Sequence, residues 1–145
     1  RPSNNPRIRM IQFASFIAVF DFDMNICNLT SDGLINNISL FFEKASQLIP
    51  VKFSKSFKDL ILINAIVPFM VWQSAQEQDP MLRQTADEIL QQISPEKNNI
   101  LAKWSKFGIH AKSSFQTQAL MELYKSFCVK KRCLTCDIGL FLLQS

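Results

Sequence analysis

Leu34-Ile35-Asn36-Asn37-Ile38-Ser39-Leu40-Phe41-Phe42-Glu43-Lys44-Ala45-Ser46-Gln47-Leu48 decides the fold class. Leu34, Ile38, Phe41, Phe42 and Ala45 recur in steps of three and four, which gathers them on one face of an α-helix but scatters them over both faces of a strand. Pro50 ends the run, because its ring and missing N–H stop a helix.

The same period extends in both directions. Upstream, Met10, Phe13, Ala14, Ile17 and Phe20 predict a helix from Pro6 to Phe20 with that set as its buried face. The stretch from Asp21 to Asp32 reads as irregular. Downstream, Ser56 with Asp59 three residues later resembles a capping box and opens a long helix from Phe57 to about Gln76. Pro68 lies inside it, crowding the carbonyl of Asn64 and predicting a kink or break that the Asn64 amide is placed to relieve.

Asp79-Pro80 is a helix start, with Leu82, Ala86, Ile89, Leu90 and Ile93 on one face. Ser94-Pro95 repeats the signal for a helix through Ile100, Leu101, Trp104 and Phe107, closed by Gly108. The tight junction between these two copies the spacing of a helix-turn-helix, although Glu96 at the start of the second helix would repel phosphate. Ser113 with Gln116 then caps a last helix carrying Phe115, Ala119, Leu120, Leu123, Tyr124 and Phe127 and ending at Cys128. The expectation is an all-α protein: a single compact bundle of six or seven helices, one of them kinked near Pro68, forming one domain over residues 1–145.

Composition agrees. Thirteen Phe and a 48% hydrophobic content supply a core, while three separated glycines, Gly33, Gly108 and Gly139, leave no room for GxGxxG or GxxxxGK[ST] phosphate loops. Neither apolar run spans a bilayer. Ile11–Phe20 is followed at once by Asp21 and Asp23, and Leu60–Trp72 is shorter than the roughly 20 residues needed. Without a secretory signal the chain is expected in the cytoplasm, with its thiols reduced or metal-bound. Because it starts at Arg1, it reads as the C-terminal fragment of a longer protein.

Chemistry concentrates at the other end. Cys128-Val129-Lys130-Lys131-Arg132-Cys133-Leu134-Thr135-Cys136 places three thiols within nine residues around three consecutive cations. The C-x4-C-x2-C spacing suits Zn²⁺ if a fourth ligand, His110 or Cys27, completes the tetrahedron; it also matches three ligands of an iron–sulfur cluster. Burial of the cysteines as small hydrophobes and a CxxC redox couple are the competing readings. Asp21/Asp23 and Asp87/Glu88 do not share a helix face and read as solvated, so no enzyme activity is expected.

Residues 1–96 carry 8 Lys+Arg against 10 Asp+Glu, a net −2, whereas residues 97–145 carry 8 against 2, a net +6. Lys125, Lys130, Lys131 and Arg132 are therefore the candidate nucleic-acid contacts.

Arg1-Pro2-x-Asn4-x-Pro6-x-x-Arg9-x-x-Gln12, Ile63-Asn64-x-x-x-Pro68, Asn99-Ile100-x-x-x-Trp104-x-x-x-Gly108-Ile109, Gln118-Ala119-Leu120 and Cys128-x4-Cys133-Leu134-x-Cys136-x-Ile138-Gly139 together resemble a bacterial domain-of-unknown-function family, number 2851. The resemblance runs over nearly the whole chain, with the cysteine tail its most specific part. It implies a further N-terminal region in family members and no known activity; Asn5 departs from the usual Phe, and His110 lies outside the pattern.

Two functions of different class follow as expectations. The first is a structural domain that docks, through a Phe-rich patch, onto the N-terminal region absent here or onto another protein. The alternative is a nucleic-acid-binding accessory module with a basic, metal-stapled C-terminal end.

Overall fold

The computed structural model describes residues 5–19, 30–49 and 53–144, apart from the side chains of Leu142 and Gln144. Every regular element among them is helical, as the sequence period requires. Seven helices result when continuous turns are joined: α1 (Pro6–Val19); α2 (Ser31–Leu48); a rod made of α3 (Lys55–Ile61), a π-helical turn (Leu62–Ile66) and α4 (Val67–Glu77); α5 (Pro80–Gln92); α6 (Asn99–Ser105); α7 (Ser114–Leu123) with a π-helical turn (Tyr124–Cys128); and α8 (Asp137–Gln144). A 3-10 turn, Cys133–Thr135, precedes α8. Packing gathers the chain into two compact units, Arg1–Ile89 and Leu90–Ser145. No helix among the described residues is long and apolar enough to cross a membrane. The segment holding Asp21, Asp23 and Cys27 lies outside the described residues.

In the first unit, α2 buries Leu34, Ile38, Phe42 and Ala45, with Phe41 half-buried, so its face is the expected one. The helix begins at Ser31, three residues early, because the Thr30 hydroxyl accepts the Gly33 N–H at 3.2 Å and caps it. An aromatic chain runs through the core: Phe16 stacks on Phe42 at 4.8 Å, Phe42 meets Phe53 at 5.1 Å, and Phe53 meets Phe57 at 5.8 Å. Cations lie over two of its rings, Phe57 at one end and Phe42 within the chain. The Arg9 guanidinium lies 4.4 Å from the Phe57 centroid and Lys58 Nζ 5.5 Å from that of Phe42.

One local expectation is corrected and a second takes a specific form. The long helix starts at Lys55, capped by Ser54, whose hydroxyl accepts the Phe57 N–H at 3.3 Å; Ser56 is a helical residue beside it. At Pro68 the disturbance takes the form of the π turn: the Val67 N–H reaches back five residues to the Leu62 carbonyl, so the extra residue absorbs the mismatch that proline imposes. Asn64 Nδ2 does donate locally, to the Leu60 carbonyl at 3.0 Å.

The larger correction is α1. Its inward residues are Gln12, Ser15 and Phe16, while the described members of the set expected to be buried face out, Met10 72% exposed, Phe13 60% and Ile17 38%; Phe20 lies outside the described residues. Burying the two polar residues costs little because each is satisfied within the helix. Ser15 Oγ donates to the Gln12 carbonyl at 2.9 Å, and Gln12 Oε1 accepts from Arg9 Nη1 at 3.2 Å.

α5 starts where expected, with Asp79 Oδ1 accepting the N–H groups of Met81 and Leu82. It buries Leu82, Ala86 and Ile89 in the first unit, and Leu90 is buried in the second, as is Ile93 just beyond the helix.

Candidate functional site

The second unit is assembled by caps. Residues 94–98 are not helical, so the helix expected from Ser94 starts at Asn99 instead. Asn98 explains the shift: its Oδ1 accepts the N–H groups of Ile100 and Leu101, both at 3.0 Å, and its Nδ2 reaches Met121 Sδ at 3.2 Å. The tight helix-turn-helix junction is thereby lost. Gly108, at φ +77°, closes the end of α6 with Gly108 N–H to the Ser105 carbonyl and Ile109 N–H to the Trp104 carbonyl, the Schellman pattern. Phe107 falls outside the helix and is exposed.

Ser113 caps α7 as expected, and Gln116 Oε1 returns the bond to the N–H of Lys112, one residue before the cap. The inner face again differs from the apolar one. Ser114 and Thr117 are fully buried, whereas Phe115 and Ala119 are exposed. Ser114 uses both of its groups to hold α7 to the residues after α5: its N–H donates to the Ile93 carbonyl and its hydroxyl to the Ser94 carbonyl, each at 2.8 Å. Small polar residues at these positions allow a close approach that Phe would block.

α6 is pinned to α7 at the other end. Trp104 Nε1 donates to the Leu120 carbonyl at 3.2 Å, and Lys103 Nζ lies 2.5 Å from the Tyr124 hydroxyl and 4.7 Å from its ring centroid. The π turn then carries the chain to Cys128. Arg132 N–H returns to the Phe127 carbonyl and Lys131 N–H to the Cys128 carbonyl, with Lys131 at φ +53°, so this helix ends in a second Schellman pattern without a glycine. α8 follows, its Leu140 N–H bonded to the Cys136 carbonyl at 2.8 Å.

Between these elements lies a cleft of about 240 Å³. Its walls are Trp104, Leu123, Phe127, Cys128, Cys133, Cys136, Ile138 and Gly139. All three predicted sulfur residues therefore line one cavity, Cys136 buried and Cys128 and Cys133 exposed, each a free thiol. Among the described residues no three His, Cys, Asp or Glu side chains are grouped to hold a metal ion. His110 is exposed and lines a different pocket, with Pro95, Glu96 and Leu101. Lys125, Lys130, Lys131 and Arg132 are all exposed. Asp87 pairs with Arg83 at 3.4 Å on the surface of α5.

Trp104, Leu123 and Phe127 were legible as helix-face residues but not as cleft walls, and Ile138 and Gly139 gave no periodic signal. A glycine three residues past the last cysteine is the one hint that a backbone approaches closely there.

Fold and cleft together define an all-helical protein whose second unit carries a thiol-lined apolar cavity. The chain belongs to the family described as "Protein of unknown function (DUF2851)", whose model matches residues 1–99. The match stops short of the cysteine tail, so the resemblance does not extend over the tail as expected. Neither the curated proteins nor the solved structures contain a match to this chain.

Proposed function

We propose that this chain is a non-catalytic helical docking domain, and that the outward face of α1 receives an amphipathic helix of a partner protein with acidic residues beside its apolar stripe. The observation that supports this is the inversion of α1: Gln12 and Ser15 are turned inward while Met10, Phe13 and Ile17 stand exposed in steps of three and four. That step is the seam of a helix pair, not of a point contact. Charge supports the partner's chemistry, since α1 holds Arg7 and Arg9 and no acid.

Magnitude sets the length of the occupant. Covering one such side chain is worth about 1.5–3 kcal/mol, and association costs roughly 4–15 kcal/mol. Three residues alone barely balance that cost, so the partner helix has to run the whole of α1, also covering Ile11 and Ala14.

The test is a titration with a synthetic amphipathic peptide of leucine stripe and flanking Glu, against the same peptide with flanking Lys. Saturable binding of the Glu peptide, at least about tenfold tighter than the Lys peptide and abolished by Phe13→Glu, supports the reading. Equal binding of the two peptides, no binding, dimerisation of the chain through this face, or binding to anionic vesicles instead would overturn it.

Nucleic-acid contact remains the second reading, favoured by the exposure of Lys125, Lys130, Lys131 and Arg132. It requires retention of a labelled duplex that falls steeply with salt, with a logarithmic slope of about −0.9 per phosphate neutralised, and loss of that retention in Lys130→Glu/Arg132→Glu.

A further inference from the structure

We infer that the cleft of the Leu90–Ser145 unit binds a medium-chain amphipathic anion: an unbranched carboxylate whose tail fills the space beside Trp104, Phe127, Cys136 and Ile138, with its head at the turn joining Cys128 to Cys133. The inference goes beyond the docking role of α1 and uses none of its residues.

Size comes first. At about 30 Å³ for each water-sized group, a cleft of about 240 Å³ takes roughly eight such groups, the bulk of an eight-carbon chain. Its walls offer ring, alkyl and thiol surface and no charged side chain, so an apolar tail is the matching filling. A nucleotide or sugar would bring polar groups that these walls cannot satisfy.

The head group follows from the chain path. Cys128 and Cys133 both line the cleft, and the residues between them are Val129, Lys130, Lys131 and Arg132, all exposed. Their turn is fixed, not loose: Arg132 N–H and Lys131 N–H are bonded back to the carbonyls of Phe127 and Cys128 at 3.0 and 3.2 Å. Three cations are thus held beside the cavity, against one neighbouring acid in sequence, Asp137. The segment that joins these two lining residues is net positive, which favours an anionic head there.

Trp104 supplies the readout. The chain has two tryptophans, so Trp72→Phe, a change at an exposed residue of α4, leaves Trp104 as the single emitter. Hexanoate, octanoate, decanoate and octan-1-ol are titrated below the concentrations at which they self-associate. Saturable change in Trp104 emission is expected, with affinity rising about fourfold per methylene up to octanoate and then levelling. Octanol is expected to bind about tenfold more weakly than octanoate. Lys130→Glu/Arg132→Glu, at exposed positions, should bring octanoate down to the octanol level and leave octanol unchanged. No saturable response, an affinity independent of chain length, or equal binding of octanol and octanoate in the parent would each overturn the inference.

Discussion

Gly139 faces the backbone of Cys133 so closely that a Cβ at residue 139 would stand 2.2 Å from the Cys133 carbonyl oxygen and 2.9 Å from its carbon. The contact seats α8 on the 3-10 turn and closes one side of the cleft. Backbone conformation has no part in this, because the constraint is space. Both neighbours are main-chain atoms and cannot swing aside as a flexible side chain would.

Gly139→Ala is therefore expected to displace α8. Overpacking of this kind costs about 1–3 kcal/mol, and the damage should stay within the second unit. Hydrogen exchange is the suitable measurement: protection in residues 137–144 and at Cys136 should fall, while that of α2 is unchanged. An alanine variant with full protection of α8 would show that the helix tolerates a methyl at this contact.

The orientation of α1 makes two phenylalanines three residues apart behave oppositely. Phe16 is buried and stacked on Phe42, whereas Phe13 is mostly exposed. Phe16→Ala is expected to destabilise by about 3–5 kcal/mol, and Phe13→Ser by no more than about 0.5 kcal/mol. Urea unfolding followed by circular dichroism distinguishes them. The reverse ranking would restore the face read from the apolar period.

These two helices show what a sequence can disclose about this fold. The inner face of α2 was legible because its inward positions beyond Ser31 are apolar and nothing competes with them. α1 and α7 were misread for a common reason: Ser15, Ser114 and Thr117 satisfy their hydroxyls on nearby carbonyls, which removes the penalty that normally keeps polar groups outside. Pro68 marked the place of the disturbance, but that the helix answers with a π turn is set by the packing around it. The cleft was less legible still. Its thiols were found from spacing, yet its walls come from residues as far apart as Trp104 and Ile138, and no local pattern encodes that meeting.

Asp59 gives the first unit a definite pH response. Burial raises its carboxyl above the ordinary value of 3.8, with Lys55 opposing the rise. A raised native pKa means that the folded chain keeps this proton longer than the unfolded chain does. Its stabilising contribution is present below 3.8 and is lost as the pH climbs through the raised value. Asp59→Asn should therefore match the parent in urea midpoint at a pH below 3.8 and exceed it at neutral pH. A variant less stable at neutral pH would mean that the charge on Asp59 is favoured by its surroundings.

Two non-glycine residues hold left-handed backbone at helix ends, Gln78 at φ 54° after α4 and Lys131 at φ 53° after the Cys128 turn. In each case an N–H one residue on returns five residues, Asp79 to the Ser74 carbonyl and Arg132 to the Phe127 carbonyl. A side chain costs roughly 1–2 kcal/mol in this conformation, and glycine recovers that strain but adds freedom to the unfolded chain. Gln78→Gly and Lys131→Gly should each stabilise by about 0.5–1 kcal/mol net, whereas Lys130→Gly, whose backbone is not left-handed, should not. Thermal unfolding checks the sign. Lys131→Gly carries a second readout, because it removes one of the three cations beside the cleft: octanoate affinity should fall even as the fold gains stability, and a parallel rise of both would separate the turn from the binding of anions.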